Sequence, residues 1–309
     1  MQQLTGLVTE MMAHMLAENE LLVIGAVHWD ILGKVTSPFA LGDDLPGNVQ
    51  RRVGGVAATV ALAIARSKVP VSLMAATGDD IEGEDLIRHV EKAGVNTEWM
   101  ILQSSMVTDR YIAIEDNESL VAAVADCNCL ERSESVMFES AKTWLQKQST
   151  INCRPTMIVD GNMSADFLDR LGNSHAASSA RIVYVAASKK KVCGLQTVSC
   201  RHRFSLYLNR FEAEHLMDTS LTDSYRAAQA LMAAGYRCFV ITDGQRAAAD
   251  GHDDSIVTVK PRTCIMPLQT GAGDRFAAVH LIARRRGFER HQSLMMAHQA
   301  AMIGEEAHT

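Results

Sequence analysis

Residues 21–24, Leu-Leu-Val-Ile, form an unbroken apolar run that stops at Gly25. Four apolar residues closed by a glycine predict a buried strand. Over residues 57–68 the apolar positions, Val60 and Ile64 among them, change to a helical period. Pro70 then breaks the chain before a second apolar run at 71–75. The alternation continues with a helix over 83–92, a strand over 156–159 and a helix over 164–171 that Ser164 would N-cap. A strand over 181–185, a helix over 223–234 and a strand over 238–241 follow. Repeated strand–helix units of this kind predict an α/β domain, with a mostly parallel sheet covered by helices on both faces.

Two stretches interrupt the alternation. The apolar runs 110–114 and 120–124 flank the polar residues 115–119, which predicts a hairpin, and a long helix is expected over about 134–148. The segment 29–53 holds Pro38, Pro46 and several glycines and has no helical period. The two insertions, at about 29–53 and 107–126, are expected to pair as a small β sheet beside the main domain, as a lid or a dimer surface. Residues 1–20 read as an amphipathic lead-in helix carrying Met11, Met12, Met15 and Leu16, and 21–309 as one domain.

Charge and cysteine narrow the class. Thirty Lys+Arg against 36 Asp+Glu give a net charge of −6, which argues against a nucleic-acid surface. The seven cysteines are odd in number and contain no C-x-x-C pair, and Cys127-Asn128-Cys129 lacks a second ligand pair at zinc spacing. Reduced thiols, acidic residues interrupting the first twenty positions, and no apolar run near the ~18 residues of a membrane span point to a cytoplasmic protein.

The chemistry concentrates in Thr270-Gly271-Ala272-Gly273-Asp274, which precedes an apolar helix. Small residues at a helix N-terminus expose successive N–H groups to an anion, and the helix dipole favours negative charge there. An acid in that place suits a base that takes a proton from an attacking hydroxyl, although a helix cap is the simpler local reading. No Gly-Lys-Ser/Thr follows, so this is not a P-loop. Asp30 lies past the first strand, where open α/β sheets bind ligands, and Gly54-Gly55 opens the next helix. Asn209 and Glu212, three apart, either hold a hydrated Mg²⁺ or form a capping box. Thr242-Asp243-Gly244 is either a nucleotide-binding turn or a hairpin turn.

In this order the motifs resemble the PfkB/ribokinase family of carbohydrate and nucleoside kinases. They are G-x-x-x-x-D at 25–30, Gly54-Gly55, Gly78-Asp79-Asp80 with Gly83, Asn-x-x-Glu, Thr-x-Gly and Thr-Gly-Ala-Gly-Asp, and they span about residues 21–305. Tyr111 to Asp126, Asp160-Gly161-Asn162 and Asn209 to Glu214 look most like the pseudouridine kinase branch. The resemblance implies a ribokinase-like three-layer α/β/α sandwich with a small β-sheet lid, and an ATP- and Mg²⁺-dependent kinase acting on a primary hydroxyl of a ribosyl compound. A ribokinase- or fructokinase-like sugar kinase and a binding protein without turnover are the alternatives. It further implies that Asp274 is the base and that Gly271, Ala272 and Gly273 form the anion hole. Asp30, Gly54, Gly55 and Thr59 would contact the acceptor. Asn209, Thr242, Gly244, Thr270, Gly273 and His298 would line ATP, and Asn209 and Glu212 would place the metal. The implied partners are small molecules, neither nucleic acid nor membrane, with a homodimer through the lid.

Five departures from the family pattern stand out. Thr59 replaces an Asn, which shortens or removes one sugar hydrogen bond. Leu268-Gln269 replaces the usual Asp/Asn-Thr, and with it an acid of the monovalent-cation site. Val279 replaces a Gly, and Val185-Ala186-Ala187-Ser188 lacks the branch's acid. Arg275, directly after the base, is expected either to clamp phosphate or to pair with Asp274 and lower its pKa.

Overall fold

The computed structural model describes residues 20–38, 40, 42–116, 120–148, 154–261 and 271–302. The expected lead-in helix, Thr270, Leu268 and Gln269 lie outside these residues. Among the described residues an eight-stranded sheet forms the middle layer, in the order β14-β13-β12-β11-β10-β9-β1-β4. Its members are β1 (Leu21–Ile24), β4 (Val71–Met74), β9 (Thr156–Asp160), β10 (Arg181–Val185), β11 (Phe204–Asn209), β12 (Cys238–Thr242), β13 (Ala248–His252) and β14 (Ser255–Val259). Strands β12 through β4 run parallel, and β13 and β14 add an antiparallel edge. The architecture is an α/β fold with a mixed central sheet and apolar cores on both of its faces.

Continuous apolar strands arise because both faces of the sheet are covered. Leu22 and Ile24 of β1 point into one core, with Phe167 of α4 (Ala165–Asn173), Leu216 of α5 (Arg210–Met217) and Leu231 of α6 (Ser224–Ala233). Leu21 and Val23 point into the other. There they meet Ile64 of α1 (Val56–Arg66), Leu86 of α2 (Ile81–Lys92), Phe276 of α7 (Ala272–Arg285) and Leu294 of α8 (Arg290–Met302). Ser164 caps α4 as its sequence predicts, accepting from Phe167 N–H at 3.1 Å. The long helix α3 (Asn128–Gln148) begins six residues before its expected start. The reason is a tertiary cap: the Asp109 carboxylate accepts from the N–H groups of Cys129 and Leu130 at 2.8 and 3.1 Å. A cap from twenty residues away leaves no local periodic signal.

The two insertions form a second sheet, in the order β3-β2-β7-β8. Strand β2 (His28–Val35) pairs antiparallel with β3 (Gly47–Gly54) and parallel with β7 (Arg110–Glu115), and β7 pairs with β8 (Leu120–Asp126). Cross-strand partners share a face, so Asp30, Arg52 and Tyr111 look the same way. A third, two-stranded sheet joins β5 (Ala76–Gly78) to β6 (Ile101–Gln103). No helix among the described residues is long and apolar enough to cross a membrane.

Candidate active site

Parallel strands carry their C-terminal ends to one edge. That edge therefore collects Gly25 after β1, Asp160 ending β9, Asn209 ending β11 and Thr242 ending β12. The chain passes from β1 to β4 on one side and returns to β9 on the other, so β1 and β9 flank a topological switch point. Helices α1 and α7 pack against each other, and both start at this edge. Ala57, Ala58 and Ala61 of α1 are buried in the core layer that α7 shares.

Helix α7 opens as its glycines predict. Gly271 is the N-cap, with φ +81°, a conformation a side chain would strain, and no side chain caps it. The first-turn N–H groups of Ala272, Gly273 and Asp274 are thus donors without a partner inside the helix. Gly273 is exposed, and a Cβ there would meet open space. Asp274 sits in the same turn, half-buried. Burial pushes its carboxyl up to about 7, helped by the charges of Asp160 and Glu212 and opposed by the Thr59 hydrogen bond and Arg275. The guanidinium of Arg275 does act in the expected lowering direction, but burial outweighs it. Arg275 itself is buried, with its guanidinium beside Gly271.

Thr59, one turn into α1, is brought to this carboxylate. Its hydroxyl donates to Asp274 Oδ2 at 2.6 Å. The sequence places Thr59 against the acceptor; in the structure its closest polar partner is the Asp274 carboxylate.

Asp30 is buried on the small sheet, with His28 Nδ1 at 3.2 Å and Arg52 Nε at 3.3 Å. The Gly54 backbone lies so close that a Cβ there would overlap the Asp30 carboxylate. Gly55 is the N-cap of α1. Arg52 was not singled out from sequence and Tyr111 only as the start of a branch-like segment; the pairing register shows that both face Asp30.

Asn209 and Glu212 form the capping box: Asn209 Oδ1 accepts from Glu212 N–H at 2.9 Å, and Glu212 Oε2 from Asn209 N–H at 2.7 Å. Burial pushes Glu212 up to about 7, against these hydrogen bonds and the charge of Lys189. Lys189, in the loop after β10, stacks its ammonium 4.4 Å from the Phe211 ring. In the sequence Lys189 opens the run Lys189-Lys190-Lys191, and its place near Glu212 is tertiary.

Thr242 ends β12, and the 243–247 turn leads antiparallel into β13, so the local hairpin reading holds for its backbone. Asp243 in that turn is gripped by Arg210 at 3.1 Å and Arg246 at 3.0 Å. His298 is buried on α8; its Nε2 meets the Val259 carbonyl at 3.0 Å, and burial lowers its pKa. It lies edge-on to Phe276. No cluster of three metal-ligating side chains occurs among the described residues.

A family model described as pfkB family carbohydrate kinase matches residues 18–305. An uncharacterized sugar kinase, YeiI, of Escherichia coli is 26% identical over 158 residues, 50% of this chain and 42% of that protein. Pseudouridine kinase of the same organism is 23% identical over 210 residues, 66% of this chain and 63% of that one. The matches thus span about half the length of these curated relatives. Among solved structures, ribokinase from Cryptococcus neoformans in complex with ADP superposes with a TM-score of 0.72 at 18% identity, covering 93% of this chain and 94% of that one.

Proposed function

Because the chain belongs to the pfkB family of carbohydrate kinases, whose members are phosphotransferases, we propose that it moves the terminal phosphoryl group of ATP to a primary hydroxyl of a ribosyl compound, pseudouridine first among them. The observation that carries the reading is Asp274. A carboxylate with a pKa of about 7 stands in the first turn of α7, among the N–H groups that an anion would meet. A base of that pKa is half-deprotonated at neutral pH and still basic enough to accept a hydroxyl proton.

The roles follow from position. Asp274 takes the acceptor's proton. The N–H groups of Ala272 and Gly273 hold the transferring phosphoryl oxygens as their charge develops. Asp30, fixed by Arg52 and His28, accepts from sugar hydroxyls beside Gly54 and Gly55. The nucleotide lies along Asn209, Thr242 and Gly244 toward His298, with Gly273 near its phosphates. The small sheet closes over the acceptor and excludes water. Little covalent work is asked of the protein; phosphoryl transfer is mostly positioning and charge neutralisation.

Mg²⁺ fits this donor set as a hydrated ion. Both capping-box side chains already engage backbone N–H groups, and a buried carboxyl pushed up to about 7 is one that a nearby cation would restore to its charged form. Glu212 and Asn209 would hold it through water. The ion would neutralise phosphate charge between ATP and these residues.

The likeness to pseudouridine kinase supports that acceptor over free ribose or fructose. The exposed Val49, Ile112 and Val124 of the small sheet support a homodimer contact there. ADP release across pseudouridine, uridine, adenosine, ribose and fructose tests the reading. Turnover with pseudouridine above the others is expected. Turnover with a free sugar alone would move the assignment to a sugar kinase. A thermal shift with nucleoside but no ADP from any acceptor would make the chain a binding protein.

A further inference from the structure

Thr59 carries one hydroxyl proton and faces three acceptors: Asp274 Oδ2 at 2.6 Å, and the carbonyls of Gly55 and Val56, each at 3.0 Å. The shortest contact goes to the carboxylate, 215 residues away in sequence. The other two are the ordinary back-bonds of a helical threonine. We propose that Thr59 is a positioning residue for the base: its hydroxyl holds Asp274 Oδ2 in both protonation states of the carboxyl, leaving Oδ1 to receive the acceptor's proton. The proposal rests on the kinase reading for its catalytic consequence, but the Thr59–Asp274 contact does not.

The argument is one of donor and acceptor capacity. A hydroxyl gives and accepts at the same atom, and its hydrogen rotates to suit. While Asp274 is ionised, Thr59 donates to Oδ2. During transfer the acceptor O–H bond breaks and its proton goes to Asp274 Oδ1. The acceptor oxygen forms its bond to phosphorus, and the bond from phosphorus to the bridging oxygen breaks with its electron pair going to ADP. The charge on Asp274 is then gone. Thr59 can turn its proton to the Gly55 or Val56 carbonyl and accept, should the carboxylic proton move to Oδ2. Neither state strands a polar group in a half-buried place, where an unmade hydrogen bond is costly. Thr59 also ties α1 to the first turn of α7, so the base is fixed relative to the Gly54-Gly55 end of the acceptor pocket. The hydrogen bond favours the ionised carboxyl and so restrains the rise that burial imposes.

The test compares wild type with Thr59→Val, Thr59→Ala and Thr59→Ser. The Asp274 carboxyl is titrated by ¹³C NMR, its signal assigned by its loss in Asp274→Asn. Without the hydroxyl its midpoint is expected to rise by about one pH unit, and serine is expected to restore it. The acidic limb of kcat/KM for ADP release should rise with it, which costs up to about tenfold in rate below both midpoints. Alanine covers the case in which valine fails to fold. An Asp274 midpoint unmoved in a folded Thr59→Val or Thr59→Ala protein overturns the proposal, as does a shift that serine does not reverse. Wild type that titrates as expected but releases no ADP from any acceptor would instead count against the kinase reading alone.

Discussion

The carboxylate of Asp160, at the end of β9, accepts a hydrogen bond from the N–H of Ala57 at 3.1 Å and so caps α1 from 103 residues away. The same oxygen accepts from Ala26 N–H at 2.9 Å, and the other from Asn162 N–H at 2.7 Å. One side chain thereby joins the loop after β1, the start of α1 and the end of β9 at the switch point. Asp160 is buried, and burial raises its pKa against these hydrogen bonds. Replacing it with alanine leaves three N–H groups without their acceptor. At about 1–3 kcal/mol for each stranded donor, a loss of roughly 3 kcal/mol or more is expected. Urea unfolding of Asp160→Ala measures it; a change below about 1 kcal/mol would mean that water replaces the carboxylate there.

The sequence shows the layers of the fold because its signals are local. The run at 21–24 and the alternation after it depend on period and punctuation, which short windows contain. The same holds for Ser164 and the Asn209–Glu212 box, whose partners lie within three residues, and for Gly271, whose own positive φ opens its helix. Asp109 and Asp160 each act at a distance, as carboxylates capping a helix elsewhere in the chain, and short windows are blind to them. Thr59 shows the limit from the other side. As a departure from a family pattern it reads as a lost sugar contact, while the fold places it on Asp274. Arg275 reads as a charge beside the base, and burial, which no local pattern reports, reverses the sign of the net effect.

Asp274→Asn is expected to remove ADP release while nucleoside and ATP still bind. An amide cannot take the proton, and loss of a general base costs about 10²- to 10⁴-fold. Calorimetric binding alongside the ADP assay separates the two effects. Turnover within tenfold of wild type would remove Asp274 from the role of base.

The acidic limb of the wild-type rate should lie near pH 7. Asp274 must be ionised to act, and burial holds its pKa at about 7, so kcat/KM should fall as pH drops through that value. An unshifted carboxylate would keep full rate down to about pH 4–5. Glu212, also near 7, would add to the same limb, so the fall can be steeper than one proton allows. A rate flat from pH 8 to pH 5 would contradict both assignments.

Asp274→Asn should also stabilise the protein at alkaline pH. A carboxyl whose folded pKa exceeds its unfolded value binds its proton more tightly when folded. Its contribution is fully present below the unfolded pKa, roughly 3.9, and is lost as pH rises through about 7. The asparagine variant has no charge to bury. It should therefore be more stable than wild type at pH 8, with the advantage shrinking through pH 6 and gone near pH 4. Urea midpoints at the three pH values test the sign, and a variant less stable than wild type at pH 8 would reverse it.

A buried polar chain holds the middle of the helix that carries Asp274. Tyr207 Oη lies 3.0 Å from His280 Nδ1, and His280 Nε2 lies 3.4 Å from Asp250 Oδ2, which Arg290 Nε approaches at 3.2 Å. Burial alone would raise Asp250, but His280 and Arg290 hold it below its ordinary value. The chain links β11, α7, β13 and α8. Tyr207→Phe removes one donor, and His280→Phe leaves the buried tyrosine hydroxyl without its partner, so each should cost about 1–3 kcal/mol. In the double variant that stranded hydroxyl is gone. The two losses should then fall short of additive, with a coupling of about 1 kcal/mol read from a double-mutant cycle of urea unfolding. Additive losses would show that Tyr207 and His280 do not interact energetically despite their contact.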